Sequence, residues 1–95
     1  MPGALELLGR RWTLRLVWEL RRDALSFSEL RGLLGISPSV LSARLGDLVD
    51  ADVIERDATR RYRLTGPGRE LARLLYEVNR WAERAGVSSP QRELA

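Results

Sequence analysis

A mainly α domain carrying a small β-hairpin is the fold class that this sequence predicts, on three observations. Apolar residues recur at helical spacing through the first half of the chain. After Val53 the period changes to two short runs of strand character. From Thr65 the helical spacing returns and holds for almost five turns. A helix, a glycine turn and a capped helix stand just ahead of the strands, which narrows the class to a winged helix-turn-helix.

The elements follow in order. ALELLG is an apolar piece that ends at Gly9. In RRWTLRLVWELRR, the residues Trp12, Leu14, Leu16, Val17, Trp18 and Leu20 are too many for one narrow stripe. This helix is therefore expected to bury two sides, one in the core and one against something beyond it. Asp23 to Leu25 breaks the pattern. In SFSELRGLLG, Ser26 or Ser28 can cap, Phe27, Leu30, Leu33 and Leu34 recur at helical spacing, and Gly35 ends the helix. Glu29 reads as a capping or surface acid. Ser37 then caps a second helix whose first position is Pro38, where the missing N–H costs nothing. Leu41, Leu45 and Leu48 fall at i, i+4 and i+7 and form its buried stripe, with Ile36 leading in. VIERD and RYRLT flank the turn-like Ala58-Thr59-Arg60, giving a hairpin with Ile54, Tyr62 and Leu64 inward and Arg61 and Arg63 outward. Thr65 caps the last helix, with Pro67 and Gly68 in its first turn. Its seam is Leu71, Leu74, Leu75, Val78, Trp81, Ala82 and Ala85. Residues 1–86 read as one domain and 87–95 as a flexible tail.

Composition bounds the function. The chain has 95 residues, 44% apolar and 31% charged, which suits one folded domain and argues against disorder. No apolar run approaches the roughly 20 residues needed to cross a bilayer. The opening MPGALELLGRRW has an acid inside a short apolar stretch and no small-residue cleavage site, so a secretory signal is not expected and the cytoplasm is. Without cysteine there is no disulfide, thiolate metal site or thiol switch, and without histidine the usual general base and commonest metal ligand are missing. Asp50 and Asp52 are too isolated for a metal site. Neither an enzyme nor a cofactor is expected. Net charge is +3 and all 16 cations are arginine, a bias that codon usage explains. Their placement says more. Arg60, Arg61, Arg63, Arg69 and Arg73 share 14 residues with one acid, Glu70, whereas five acids face Arg56 between Asp47 and Asp57. The cationic surface is local.

On the second helix of the pair, Ser39, Ser42, Ala43 and Gly46 project away from the leucines, with Arg44 and Asp47 on the flanks. A small neutral face on so charged a chain is either pressed against something or kept clear. The major groove of B-DNA, about 12 Å wide, admits a helix whose outer side chains do not hold it off. Serine hydroxyls can bond to bases or phosphates, alanine can touch a thymine methyl, and the helix N-terminus at Ser37, Pro38 and Ser39 offers the free N–H groups of its two serines to a phosphate. Arg60 and Arg61 at the hairpin tip would reach a neighbouring minor groove or backbone. The competing view is tight helix–helix packing in a winged helix that binds protein; the basic hairpin favours DNA. Trp12, Trp18 and Trp81 read as core or interface residues rather than a ligand cage. Tyr62 reads as packing at the base of the wing, and Arg10, Arg11 and Arg15 as a solvated face.

From Leu5 to Trp81 these phrases, in this order, resemble the HxlR family of bacterial transcriptional regulators, relatives of the MarR-type winged helices. GRRWTLRLVWEL resembles the family's Gly-Lys-Trp-Thr opening helix, and SFSELRGLLGISPSVLSARLGDLVDADVIER resembles its helix-turn-helix core. YRLTGPGREL resembles the segment after its wing, and Trp81 its late tryptophan. The resemblance implies that Ser37, Ser39, Ser42, Ala43 and Arg44 belong to the recognition helix and Arg60, Arg61 and Arg63 to the wing. It also implies a homodimer built from the first and last helices, with Leu5, Leu8, Trp12, Leu71, Leu74, Leu75, Val78 and Trp81 at its interface. Three departures stand out. The family's usual cysteine before the opening helix is missing, which excludes thiol sensing. Ser26 replaces an arginine before Phe27, removing a phosphate contact. Asp52 replaces a common glycine before Val53, so a different turn is expected there.

The expected function is that of a sequence-specific regulator, a repressor, bound as a homodimer to a pseudo-palindromic double-stranded DNA operator in the bacterial nucleoid. The alternative is a winged-helix module for protein–protein interaction within a larger assembly. No membrane partner is expected, and no polar group in the apolar seam marks a site for a small-molecule effector.

Overall fold

Five helices and one hairpin make up residues 2–87, the part of the chain that the computed structural model describes. They are α1 (Pro2–Leu8), α2 (Thr13–Glu19), α3 (Phe27–Leu34), α4 (Pro38–Asp50), β1 (Ile54–Arg56), β2 (Tyr62–Leu64) and α5 (Gly66–Ala85). Of the tail expected over 87–95, Val87 is exposed and the rest lies outside the described residues.

The opening helix is shorter than its apolar spacing suggests. Arg10, Arg11 and Trp12 are not helical, and Trp12 holds the left-handed conformation (φ 79°) as the N-cap of α2. The Arg11 guanidinium lies 5.2 Å from the centre of its ring. Leu16, Val17 and Leu20 are buried in the core, while Leu14 and Trp18 are half-buried on the second side. The two-sided burial is therefore present on a helix of two turns.

Local chemistry fixes the helix pair. Ser26 and Glu29 form a reciprocal capping box: the Glu29 N–H donates to Ser26 Oγ (3.1 Å) and the Ser26 N–H to Glu29 Oε1 (2.8 Å). Gly35 takes the left-handed conformation (φ 62°) that ends α3. Ser37 Oγ accepts from the Val40 N–H (3.3 Å) and Pro38 opens α4. Leu41, Leu45 and Leu48 then enter the core beside Leu16, Leu30 and Ile54. Each such side chain contributes about 1.5–3 kcal/mol relative to exposure.

The hairpin pairs Ile54 with Leu64, Glu55 with Arg63 and Arg56 with Tyr62. Leu25 adds one bridge to Tyr62 (2.8 and 2.9 Å), tying the α2–α3 link to the base of the wing. The turn before β1 keeps the shape that glycine would give it. Asp52 itself adopts φ 60°, so the expected difference is absent. Thr65 locks that turn to α5, its hydroxyl donating to the Asp52 carbonyl (2.6 Å) and accepting from the Gly68 N–H (3.1 Å). α5 lays Gly68 and Ala72 against the domain and leaves Leu74, Val78 and Trp81 more than half exposed. Among the described residues no helix is long and apolar enough to cross a membrane.

Candidate nucleic-acid interface

The leucine stripe of α4 sets the direction of everything else on that helix. With Leu41, Leu45 and Leu48 buried, Ser37, Pro38, Ser39, Ser42, Ala43 and Gly46 all face solvent. An added Cβ on Gly46 would meet nothing within 4 Å. The face is bare, and nothing among the described residues covers it.

Arg44 sits differently from its neighbours. Its side chain is 23% exposed and its Nε lies 3.4 Å from Asp47 Oδ2. The same oxygen accepts from Arg10 Nη1 at 2.8 Å. Arg10 is therefore not merely part of a solvated face: it ties the segment before α2 to the recognition-type helix. Residues 37 apart carry no periodic signal that could have announced this pair.

The wing is short and internally braced. One oxygen of Asp57, Oδ1, accepts from the Thr59 hydroxyl (2.6 Å), the Thr59 N–H (2.8 Å) and the Arg61 N–H (3.0 Å). The Thr59 hydroxyl and the Arg61 N–H hold this carboxyl below its ordinary pKa. Arg60 takes φ 67° at the tip and is exposed. Of Arg60, Arg61 and Arg63 it is the one without an acid partner among the described residues; Arg56, at the end of β1, is also unpaired and stands 5.0 Å from the centre of the Tyr62 ring. Arg61 lies 3.9 Å from Glu29, and Arg63 lies 2.7 Å from Glu55 across the hairpin. The Ser26 N–H and hydroxyl lower the Glu29 pKa, with Arg61 adding a smaller attraction. Cap, wing and α3 are thereby joined through one carboxylate.

The residues expected at a subunit interface divide in two. Leu5, Leu74, Val78 and Trp81 are 56–67% exposed. Trp12, Leu71 and Leu75 are half-buried against this chain's own core, and Leu8 is half-buried at the end of α1. The structure brings the small α4 face and the cationic wing onto described, solvent-facing surface, and leaves an apolar seam uncovered on α5.

The sequence pattern of the HxlR-like helix-turn-helix family matches residues 7–89. The chain is similar to the HTH-type transcriptional regulator YvaP of Bacillus subtilis strain 168, with 35% identity over 86 residues, 83% of this chain and 80% of YvaP. Quinone-bound YodB from B. subtilis has a similar structure, with a TM-score of 0.81 at 30% identity over 88% of this chain and 94% of YodB. The transcriptional repressor BigR from Xylella fastidiosa gives a TM-score of 0.68 at 32% identity, over 78% of this chain and 77% of BigR.

Proposed function

The chain belongs to the HxlR-like helix-turn-helix family and is a transcriptional regulator of that type rather than an enzyme, and on that premise we propose that it represses transcription as a homodimer on a pseudo-palindromic operator. The observation that carries this reading is α4: a capped helix of 13 residues with its leucines buried and only small residues on its outer middle. A helix of that shape can lie deep in a major groove. Ser39, Ser42 and Ala43 would then read base edges while the Ser37–Pro38 end meets a phosphate. Arg60 would hold the neighbouring backbone, with Arg61, Arg63 and Arg44 as secondary contacts that must loosen their acid partners first.

Dimerisation is supported by the seam. Leu74, Val78 and Trp81, with Leu5 on α1, leave large apolar side chains in water, and a second copy is the simplest cover. Two α4 helices would then sit about 34 Å apart, one turn of duplex. Repression follows from occupancy of a promoter, in line with the name of BigR, and the place of action is the cytoplasm, on the nucleoid. Selection of bound duplexes from a random pool, with light scattering of free and bound protein, tests both parts. A two-fold related motif bound by a dimer is expected. Solitary chains without affinity for any duplex would refute the proposal, and capture of duplexes without a shared motif would remove its sequence-specific part.

A further inference from the structure

The charges at the flank of α4 are joined unequally. Arg10 Nη1 donates to Asp47 Oδ2 at 2.8 Å, whereas Arg44 Nε stands 3.4 Å from the same oxygen. Arg44 Nε is shielded from solvent and has no hydrogen-bond partner among the described residues. Arg44 is therefore held by charge alone, through an N–H that has left water and gained no hydrogen bond in return. A phosphate oxygen at ordinary hydrogen-bond distance suits that guanidinium better than this carboxylate does.

Arg10 is fixed from behind. Its N–H donates to the Leu7 carbonyl (3.4 Å) and its carbonyl accepts from the N–H of fully buried Thr13 (3.3 Å). Glu6 and Asp50 line one open cleft with Arg10 and Asp47, and neither of those two acids is in an ion pair among the described residues. Without the Asp47 charge, Arg10 would still have acids beside it. Arg44 would have none, because Asp47 is its one ion-pair partner among the described residues.

Position around the helix gives this inequality a use. At about 100° per residue, Asp47 falls between Arg44 and the bare face of Ser39, Ala43 and Gly46. A duplex approaching that face meets the carboxylate before it meets Arg44. The carboxylate opposes phosphates of any sequence, and a guanidinium paired with it adds little attraction at a distance. Only base edges that let α4 seat fully bring a phosphate near enough to take Arg44 from Asp47.

We propose that Asp47 is a specificity-determining residue, a carboxylate anchored by Arg10 that withholds Arg44 from arbitrary duplexes and yields it on the operator. It lowers affinity for unrelated DNA more than affinity for the operator, and so widens the ratio between them. This rests on the DNA-binding reading above; the hold on Arg44 in the free protein does not.

Duplex binding by the full chain, measured across salt concentrations for the selected operator and for an unrelated sequence, tests the proposal. Asp47→Asn should tighten binding to the unrelated duplex about three- to tenfold at low salt and steepen its salt slope by about one unit, because one more phosphate is neutralised. On the operator, where Arg44 is already engaged, the slope should stay at the parent value and affinity should rise by less than about twofold. Adding Arg44→Gln to Asp47→Asn should return the unrelated duplex to the parent slope. A carboxylate that merely braces the fold predicts the reverse: its loss would weaken both duplexes, and that result overturns the proposal. So does an equal gain on both duplexes, or a gain that survives Arg44→Gln. In the free chain, the Arg44 Nε–H should exchange slowly with water and faster in Asp47→Asn, and an unmoved rate would overturn the hold itself. A parent that binds neither duplex refutes the DNA-binding reading, whereas a parent that binds its operator while Asp47→Asn changes nothing refutes this proposal alone.

Discussion

Gly46 and Gly68 show how differently the same residue can be used. Gly46 is in the middle of α4 with open space where a Cβ would stand, and glycine there costs about 0.5–1 kcal/mol relative to alanine. Gly46→Ala should therefore raise the unfolding midpoint, and it should also weaken operator binding because the added methyl projects from the face that would enter the groove. Thermal melts and gel shifts on the one variant check both outcomes. A more stable protein with undiminished affinity would mean that α4 does not approach closely at that residue. Gly68 is the reverse case. Its Cβ would overlap the carbonyl oxygen of Val53 where α5 crosses the start of the wing. Backbone cannot give way as a side-chain tip can, so Gly68→Ala should destabilise by about 1–3 kcal/mol, read as a lower denaturation midpoint at unchanged m-value. Helical spacing put Gly46 on the outward face of its helix, but it gave no sign of the backbone contact at Gly68, which read only as a residue in the first turn of the last helix.

At the scale of elements, the wing and the α3 cap each depend on a carboxylate held below its ordinary pKa, Asp57 and Glu29. Both hold protons less tightly folded than unfolded. Their contribution is full above the unfolded pKa of about 4 and is lost as pH falls through the lowered folded values. Acid should thus loosen the hairpin tip before the leucine core. Amide exchange at Thr59 and Arg61 should quicken below about pH 4 while Leu41 and Leu45 stay protected. Asp57→Ala should give the quick exchange at neutral pH and remove its acid dependence. The caps at Ser26, Ser37 and Thr65, the glycine stop at Gly35 and the inward Ile54, Tyr62 and Leu64 could all be read from the sequence, because each rests on neighbours a few residues apart. Three features could not. Trp12 leaves the helix that its apolar neighbours announce, Asp52 takes a backbone shape usually given to glycine, and Arg10 reaches Asp47 across the fold. Those depend on what lies beside a residue in space. For the candidate site the same limit applies: the bare face of α4 was plain from period alone, but the pairing of Arg61 and Arg63 with acids, which leaves Arg60 the unpaired cation at the wing tip among the described residues, required the cross-strand and α3 neighbours.

For the molecule as a whole, the open question is what covers α5. The family resemblance assigned Leu71, Leu74, Leu75, Val78 and Trp81 to a partner, but Leu71 and Leu75 lean on the chain's own core, so the uncovered part is Leu74, Val78 and Trp81. Val78 is 56% exposed, and a charge there costs the isolated subunit little while placing a carboxylate in a dry interface if two seams meet. Val78→Glu should therefore leave helix content and melting of the single chain nearly intact and shift sedimentation from dimer to monomer. A dimer holds its second α4 near the second half-site, so the monomer should lose about 10²–10⁴ in affinity for the full operator while binding an isolated half-site as the parent subunit does. Its salt slope on the operator should fall to about half, because half as many phosphates are met at once. Arg60→Ala offers the contrasting signature: the protein stays dimeric, all duplexes weaken alike, and the slope falls by about one unit for each wing. A Val78→Glu protein that remained dimeric would place the interface elsewhere, and a monomer with full operator affinity would show that one bare helix and one wing suffice for recognition.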